Sequence, residues 1–407
     1  MNTDPFWNEA RVSHPFPPLI TDLEVDVLII GGGITGVTTA HLLSSEGYKV
    51  ALVERHEIGG SDTGHTTAHL TYMTDTRLSK LISICGEEHA LNSWEAGRMA
   101  MEHIHRVATG FPEEVGLVEV PGYLVASNGS DLQQERNQLI DEARIASRLG
   151  FDVEFLEQTG PTKAPGIRFE RQMKFHPVKY LQALVAQGVQ QGVMFFEDTE
   201  INSFDASQGA KANGRHIRYH NLIIATHMPI QGTRTQTAAA WFQTKLASYS
   251  TYAIAARIPT GSLEEMIWSD TADPFNYLRV EKTPDGEIAI LGGEDHKTGQ
   301  EPSTEACFSR LEETLSQFVT HYELRHRWSG RVIETIDGLP YIGEIKPGEY
   351  IATGFSGNGM TFGTAAALLI RDMLLKKHNP WKKTFDPARR DHYPNISRKT
   401  VISPIIL

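Results

Sequence analysis

The chain has 407 residues, 40% hydrophobic and 22% charged, with 38 Lys+Arg against 50 Asp+Glu for a formal charge of −12. This composition excludes a largely disordered or fibrous protein and leaves room for two or three packed domains of roughly 100–200 residues each. Net acidity argues against a nucleic-acid partner, which needs a basic footprint to displace phosphate counterions.

Two cysteines, Cys85 and Cys307, make no disulfide framework and stand in no Cys-x-x-Cys pair. A reduced, cytoplasmic protein is expected. The opening MNTDPFWNEARV shows no charged-then-apolar leader, and no window holds the roughly 20 apolar residues that span a bilayer. Proline-rich text at 14–20 and after Pro380 suggests tails laid over a surface.

From Val25 the text becomes patterned. An apolar run Val25–Ile30, a glycine cluster, a small-residue stretch to Glu46 and a second β-like run Lys49–Glu54 read as strand, helix, strand. Gly31-Gly32-Gly33-Ile34-Thr35-Gly36 contains the spacing Gly-x-Gly-x-x-Gly between the first strand and the helix. Gly31 permits the tight turn, Gly33 lets backbone approach a pyrophosphate, and Gly36 allows close helix–strand packing, while the helix N-terminus at Ile34 and Thr35 favours the anion. Glu54, 18 residues beyond Gly36, ends the second strand, where a carboxylate can accept hydrogen bonds from an adenosine ribose. A dinucleotide follows from this arrangement, with NAD and FAD both open.

Beyond Glu54 and Arg55 comes a hydroxyl-rich loop, Thr63-Gly64-His65-Thr66-Thr67-Ala68, where an NAD domain would normally launch its next helix. Such a segment can lie along an extended cofactor. Helix-like text covers 76–109, a strand 122–126, a polar helix 131–149, a helix 177–191 and short strands 193–196 and 216–225. Segments 246–258, 275–281 and 287–293 alternate Tyr, Ile and Ala as antiparallel strands do. The glycine-rich 352–363 opens an apolar helix from Thr364 to Leu375. No clean boundary divides the chain, so interleaved domains are expected.

These motifs together resemble the D-amino-acid oxidase and glycine oxidase superfamily of FAD-dependent oxidoreductases, within it the subgroup often fused to a C-terminal Rieske domain. The resemblance runs from about Asp26 to Arg389 and rests on Gly31–Gly36, Thr63–Ala68, Asn221–Thr226, Gly292–Gly299, Asp337–Gly343 and Gly354–Met360. It implies an α/β plus α+β fold. A Rossmann-type, glutathione-reductase-like FAD-binding domain is expected over 1–78, 176–235 and 326–395, an antiparallel-sheet substrate domain over 79–175 and 236–325, and a tail over 396–407. A Rieske centre needs two Cys and two His in close pairs, and no cysteine follows His378. The iron–sulfur outlet of that subgroup is therefore not expected here, and oxygen or another acceptor must reoxidise the flavin.

The resemblance further implies that Ala225 and Thr226 end a strand near the cofactor. It also implies that Gly354, Gly357, Asn358, Gly359, Met360 and Thr361 pass close to the flavin's pyrimidine edge. A glycine-rich turn into a helix points N–H groups outward and would stabilise negative charge on a reduced flavin. His65 reads three ways: covalently attached to FAD, in non-covalent contact with flavin or substrate, or structural, with non-covalent FAD preferred.

Substrates in the superfamily are amines and amino acids, oxidised by hydride transfer from the carbon beside nitrogen. The protein must hold that C–H bond against the flavin and favour the neutral amine. An amino-acid carboxylate would call for a guanidinium fork, and the candidates are Arg331, and Arg279 with Tyr277. Tyr249 and Tyr252 stand three apart on a strand, so at most one faces the site; Tyr252 is the candidate. Lys297 is placed to promote reaction with oxygen, and His227 follows the Ala225-Thr226 contact. No histidine has metal-ligand spacing with acidic or thiol partners. The expected activity is oxidation of a C–N bond in an amine or amino acid. The alternatives are a hydroxy-acid dehydrogenase and an FAD-binding electron-transfer subunit with a separate redox partner; a homo-oligomer stays open.

Overall fold

The computed structural model describes residues 2–11, 15–110, 115–127, 131–205, 209–228 and 246–389. The expected tail 396–407 lies outside them, as do 229–245 and 390–395 of the expected domain spans.

The βαβ unit forms as its pattern predicts. Strand β1 (Leu23–Ile30), helix α1 (Ile34–Ser45) and strand β2 (Val50–Val53) follow one another. Val27–Ile30 and all of β2 are at most 5% exposed, one face packing on helices and the other on Ile201, Phe204, Ala210 and Ala212. They lie in an eight-stranded sheet with β7 (Met194–Phe196), β8 (Ile201–Asp205), β9 (Gly209–Ala212), β10 (Arg215–His227), β16 (Tyr341–Lys346) and β17 (Glu349–Thr353). Its order is β16-β17-β10-β1-β2-β7, with β17, β10, β1, β2 and β7 mutually parallel and the β9 and β8 hairpin on β10.

Helix α1 is buried almost all round because it lies between this sheet and the helices at Pro177–Gln190 and Gly359–Leu374. Helix-like text at 76–109 resolves into α2 (Leu78–Cys85) and α3 (Glu87–Ala108), which break at Gly86. Next come α4 (Leu132–Arg148), capped by the Asp131 carboxylate, and α5 (Pro177–Gln190), which opens on a proline. After α6 (Thr304–Phe318) come α7 (Gly359–Leu374) and the short α8 (Trp381–Phe385). Helix α7 begins at Gly359 rather than Thr364. Glycine has low helix propensity, but Met360–Ile370 are all buried against α1, α3 and the sheet, and burial overrides propensity.

A nine-stranded sheet holds β3 (His69–Leu70), β4 (Val118–Val125), β5 (Val153–Thr159), β6 (Ala164–Lys174), β11 (Leu246–Ile258), β12 (Ile267–Asp270), β13 (Tyr277–Thr283), β14 (Gly286–Lys297) and β15 (Glu323–Thr335). Its order is β15-β11-β14-β13-β12-β4-β6-β3 with β5 beside β6, antiparallel except where β4 meets β12. Strand β15 carries the sheet past the boundary expected between 325 and 326, because it pairs with β11 along its whole length. One face of this sheet is sealed by α6, whose Cys307, Phe308, Leu311 and Leu315 pack on Ile254, Ala256, Leu278 and Leu291. The opposite face is left to form a cavity wall. Among the described residues, no helix is long and apolar enough to cross a membrane.

Candidate active site

A cavity of about 800 Å³ is lined from both sheets, from the N-terminus of α1 to the open face of the nine-stranded sheet. That is within the range of small-molecule sites, ~300–1,000 Å³.

At the nucleotide end, Gly31, Gly33, Ile34, Thr35, Glu54 and Arg55 all line the cavity. Gly31 has φ +112°, and a Cβ there would sit 2.4 Å from the Ala225 carbonyl oxygen; a Cβ at Gly36 would sit 1.9 Å from that of Gly31. Gly36 therefore packs behind the turn and lines nothing. The Thr63 hydroxyl accepts from the Ile34 N–H at 3.0 Å, and α1 has no side-chain cap, so its positive end opens into the cavity. Glu54 is held at the end of β2, accepting from the N–H groups of Gly32 at 2.7 Å and His56 at 3.0 Å.

The loop after β2 brings Thr63, His65, Thr66 and Thr67 to the wall, with Gly64 behind them. Its conformation depends on the N-terminal segment ahead of the proline-rich 14–20. Trp7 is fully buried, its indole N–H donates to Thr66 O at 2.6 Å, and Arg11 Nη2 donates to Gly59 O at 2.7 Å. A tryptophan amid polar terminal text was the one available signal. His65 Nδ1 bonds to Ser61 O at 2.9 Å, while Trp328 Nε1 donates to His65 O at 2.8 Å.

Ala225, Thr226 and His227 line the opposite side. His227 Nε2 is buried and meets no partner among the described residues, and Nδ1 lies 3.9 Å from Asp62. Burial lowers the His227 pKa, Asp62 opposes this, and Arg331 adds to the lowering. Arg331 lines the cavity with an exposed guanidinium.

Gly357, Asn358, Gly359 and Met360 reach the wall, but Gly354 and Thr361 do not. A Cβ at Gly354 would lie 2.4 Å from the Thr335 methyl, and the Thr361 hydroxyl donates to Thr71 O at 3.1 Å. The Gly357 N–H does not point free into the cavity as the glycine-rich turn suggested; it donates to Asp75 Oδ2 at 2.6 Å. Asp75 sits deep in the molecule with its side chain open to the cavity, and burial raises its pKa against that bond.

At the sheet end, the Tyr277 and Thr251 hydroxyls are 2.6 Å apart, with the Asp295 carboxylate beside them. Burial, reinforced by the charge of Asp75, pushes Asp295 up to about 6, the nearby Thr251 hydroxyl acting against it. Tyr277 is raised well above its usual range, chiefly by burial. His69, whose ring meets Tyr277 edge-on at 5.8 Å, is lowered to about 3 by burial and then Arg279, and so is neutral at working pH.

Two expected residues, Arg279 and Lys297, are placed elsewhere, and a third, Tyr252, lines the cavity without presenting its ring to it. Tyr252 turns its ring to the sealed face, stacking on His296 at 5.5 Å and meeting Phe308 at 5.2 Å, so strand alternation gives Thr251 the cavity. Arg279 is fully buried outside the cavity lining, donating to the carbonyls of Thr67, Ala68 and Phe175 and pairing with Glu281. Its charge is spent on structure. Lys297 is exposed at the end of β14 and does not reach the cavity. Thr251, Asp295 and Asp75 were missed: the first two lie in segments already singled out, and Asp75 carries no sequence signal at all.

The geometry describes a dinucleotide site that continues into a second, polar chamber, the plan of a cofactor-dependent oxidoreductase. The sequence model of the DAO family, FAD dependent oxidoreductase, matches residues 26–373, and the chain belongs to that family. Over 403 residues it is 28% identical to YhfW of Bacillus subtilis, a protein named for a Rieske 2Fe-2S centre, covering 97% of this chain and 77% of that protein. Glycine oxidase from Geobacillus kaustophilus shares the fold with a TM-score of 0.75 at 18% identity, over 90% of this chain and 99% of that one. L-proline dehydrogenase from P. horikoshii superposes with a TM-score of 0.72 at 19% identity, over 90% of this chain and 98% of that one. The residues fit FAD: α1 and α7 both open towards the cavity without side-chain caps, Glu54 is fixed beside the turn, and His227 Nε2 awaits a partner.

Proposed function

We propose that this FAD-dependent oxidoreductase oxidises a C–N bond of a small amine or amino acid and passes the electrons to oxygen or another acceptor. FAD supplies the hydride acceptor. The observation that carries the reading is the continuity of the cavity from the α1 N-terminus to Thr251, Tyr277 and Asp295, which puts proton-accepting side chains in the chamber beyond the cofactor cradle. The names of the fold neighbours, glycine oxidase and L-proline dehydrogenase, are in keeping with it.

In this reading the Gly33 turn and the first N–H groups of α1 hold the pyrophosphate, and Glu54 takes the adenosine ribose. His65 contacts FAD without a covalent link, its Nδ1 being engaged by Ser61 O. Tyr277 and Thr251 orient the substrate nitrogen, and Arg331 is the cation available to a carboxylate. Anaerobic visible absorbance of the purified protein against amines, amino acids and 2-hydroxy acids tests the reading. Bleaching by a C–N compound is expected; bleaching by hydroxy acids alone overturns it. Flavin that remains with acid-precipitated protein would overturn the non-covalent assignment.

A further inference from the structure

An amino-acid substrate needs a cation for its carboxylate, and the sheet end of this cavity offers carboxylates instead. Asp75, from the loop after β3, and Asp295, near the end of β14, both line it. Asp295 Oδ1 is buried and meets no hydrogen-bond partner among the described residues, beside the bonded hydroxyls of Thr251 and Tyr277. An unmet buried acceptor in a cavity wall is a place for a donor from a ligand. The guanidinium next to this chamber, Arg279, is committed to three backbone carbonyls and Glu281. Three arginines line the cavity itself, and among the described residues none of them is bonded to Asp295 or Asp75. Arg55 follows Glu54 at the nucleotide end, Arg77 pairs with Glu135 at 3.1 Å, and Arg331 acts on His227 beside Asp62.

We infer that the substrate is a cationic amine with no carboxylate on the carbon beside its nitrogen, held by Asp295 and Asp75, and that Asp295 takes the ammonium proton before oxidation. This rests on the reading of the cavity as a C–N oxidising site and narrows its substrate class. The proton transfer breaks an N–H bond and forms an O–H bond on the carboxylate. The freed nitrogen lone pair then assists loss of hydride from the adjacent carbon to FAD, so the substrate leaves as an iminium and the cofactor gains two electrons. Carboxylates oppose the binding of an α-carboxylate at this end and favour a cation, and the Thr251–Tyr277 pair fixes the direction from which the nitrogen is approached.

Asp295 is faced by Asp75 from the loop, Tyr277 from β13, Glu294 and His296 on its own strand, and Glu334 from β15, which in turn faces Lys297. Burial first, then these neighbouring carboxylates, pushes Glu334 up to about 7, and burial also leads in raising Asp295 to about 6. Cation affinity therefore grows as pH rises through this range and falls away below it.

The experiment is anaerobic titration calorimetry of the FAD-loaded protein with butylamine and 1,4-diaminobutane, against glycine and propionate, at acid and neutral pH. The amines are expected to bind at least about tenfold more tightly than glycine or propionate and to weaken about tenfold on acidification through the Asp295 range. Asp295→Asn should lose both the affinity and its pH dependence while keeping its FAD content, and Asp295→Glu should restore the pH dependence. Propionate or glycine binding as tightly as the amines, or amine binding untouched by Asp295→Asn, overturns the inference. Should Asp295→Asn lose FAD, the wild-type and Asp295→Glu pH profiles decide in its place. Bleaching by an amino acid without amine binding sinks this inference alone, whereas amine binding with no bleaching by any C–N compound sinks the wider reading of the site.

Discussion

The two ends of the cavity are built in different ways. The nucleotide end comes from one continuous stretch, β1 through β2, and its chemistry is carried by backbone: a turn at Gly31, the uncapped end of α1, and a carboxylate fixed by two N–H groups. The sheet end takes Asp75, Thr251, Tyr277 and Asp295 from four separate segments, and its chemistry is carried by side chains. A backbone site tolerates few residue types at fixed spacings and so advertises itself in sequence. A side-chain site is set by strand register, and many residue types fit the same backbone.

If the nucleotide end is a backbone device, its most severe failure comes from adding atoms to a glycine. Gly36→Val places carbon where only 1.9 Å separates a Cβ from the Gly31 carbonyl oxygen. Overpacking ordinarily costs ~1–3 kcal/mol and more when backbone must move; soluble, flavin-loaded protein is expected to be lost, as flavin content and yield would show. Trp7→Ala should come next, because it empties a fully buried site under the cofactor loop. Large-to-small changes of this kind cost ~3–5 kcal/mol, and both the melting temperature and FAD retention should fall. Trp7→Phe keeps most of the packing and gives up the bond to Thr66 O, about 1 kcal/mol. An unchanged FAD dissociation constant in both variants would show that the N-terminal segment does not support the loop.

A control region sharpens the contrast. Asp337 and Arg389 form a buried, two-pronged ion pair with bonds of 2.7 and 2.9 Å, Arg389 donating also to the carbonyls of Leu339 and Pro340. Arg389→Met removes both prongs from that buried carboxylate and should cost ~3–5 kcal/mol. Thermal melting should register the loss while the FAD dissociation constant stays put; weaker FAD binding would connect this pair to the cofactor end.

The smallest effect concerns Asp295 and stability. Its folded-state pKa of about 6 lies above the ~3.9 of an unfolded aspartate, so proton uptake favours the folded form. The stabilisation from protonation is complete below the unfolded value and is lost as pH rises through about 6. Asp295→Asn, which cannot ionise, should therefore melt higher than the wild type at pH ~8 and match it at pH ~4. Identical melting at both pH values would mean that the carboxylate is freely solvated.

Much of the fold was legible. The apolar runs at Val25–Ile30 and Lys49–Glu54, the glycine spacing and the alternation in 246–258 all anticipated the elements that formed. The start of α7 was hidden because glycines there serve close packing against Thr35, where a Cβ on Gly363 would lie 2.7 Å from the hydroxyl. Of the predicted site, residues of the turn and loop line the cavity, Arg279 and Lys297 do not, and Tyr252 lines it while its ring packs on the sealed face. The direction of the Tyr252 ring was not legible because alternation says that neighbours differ in facing but not which face is sealed, and only α6 decides that. Arg279 failed because a buried arginine satisfied by carbonyls and one available to a carboxylate look alike in one dimension.

The sequence by itself determined the cofactor-binding unit, because glycines and a terminal acid at set spacings meet a steric demand that is local along the chain. Tertiary structure alone decided which side chains share the chamber beyond it. Asp75 acquires its raised pKa from burial, Asp295 from burial and the charge of Asp75, and the grip of Trp7 on Thr66 joins residues 59 positions apart. Burial and charge proximity are properties of folded distance, and those distances come from strand register and helix packing rather than from the order of residues.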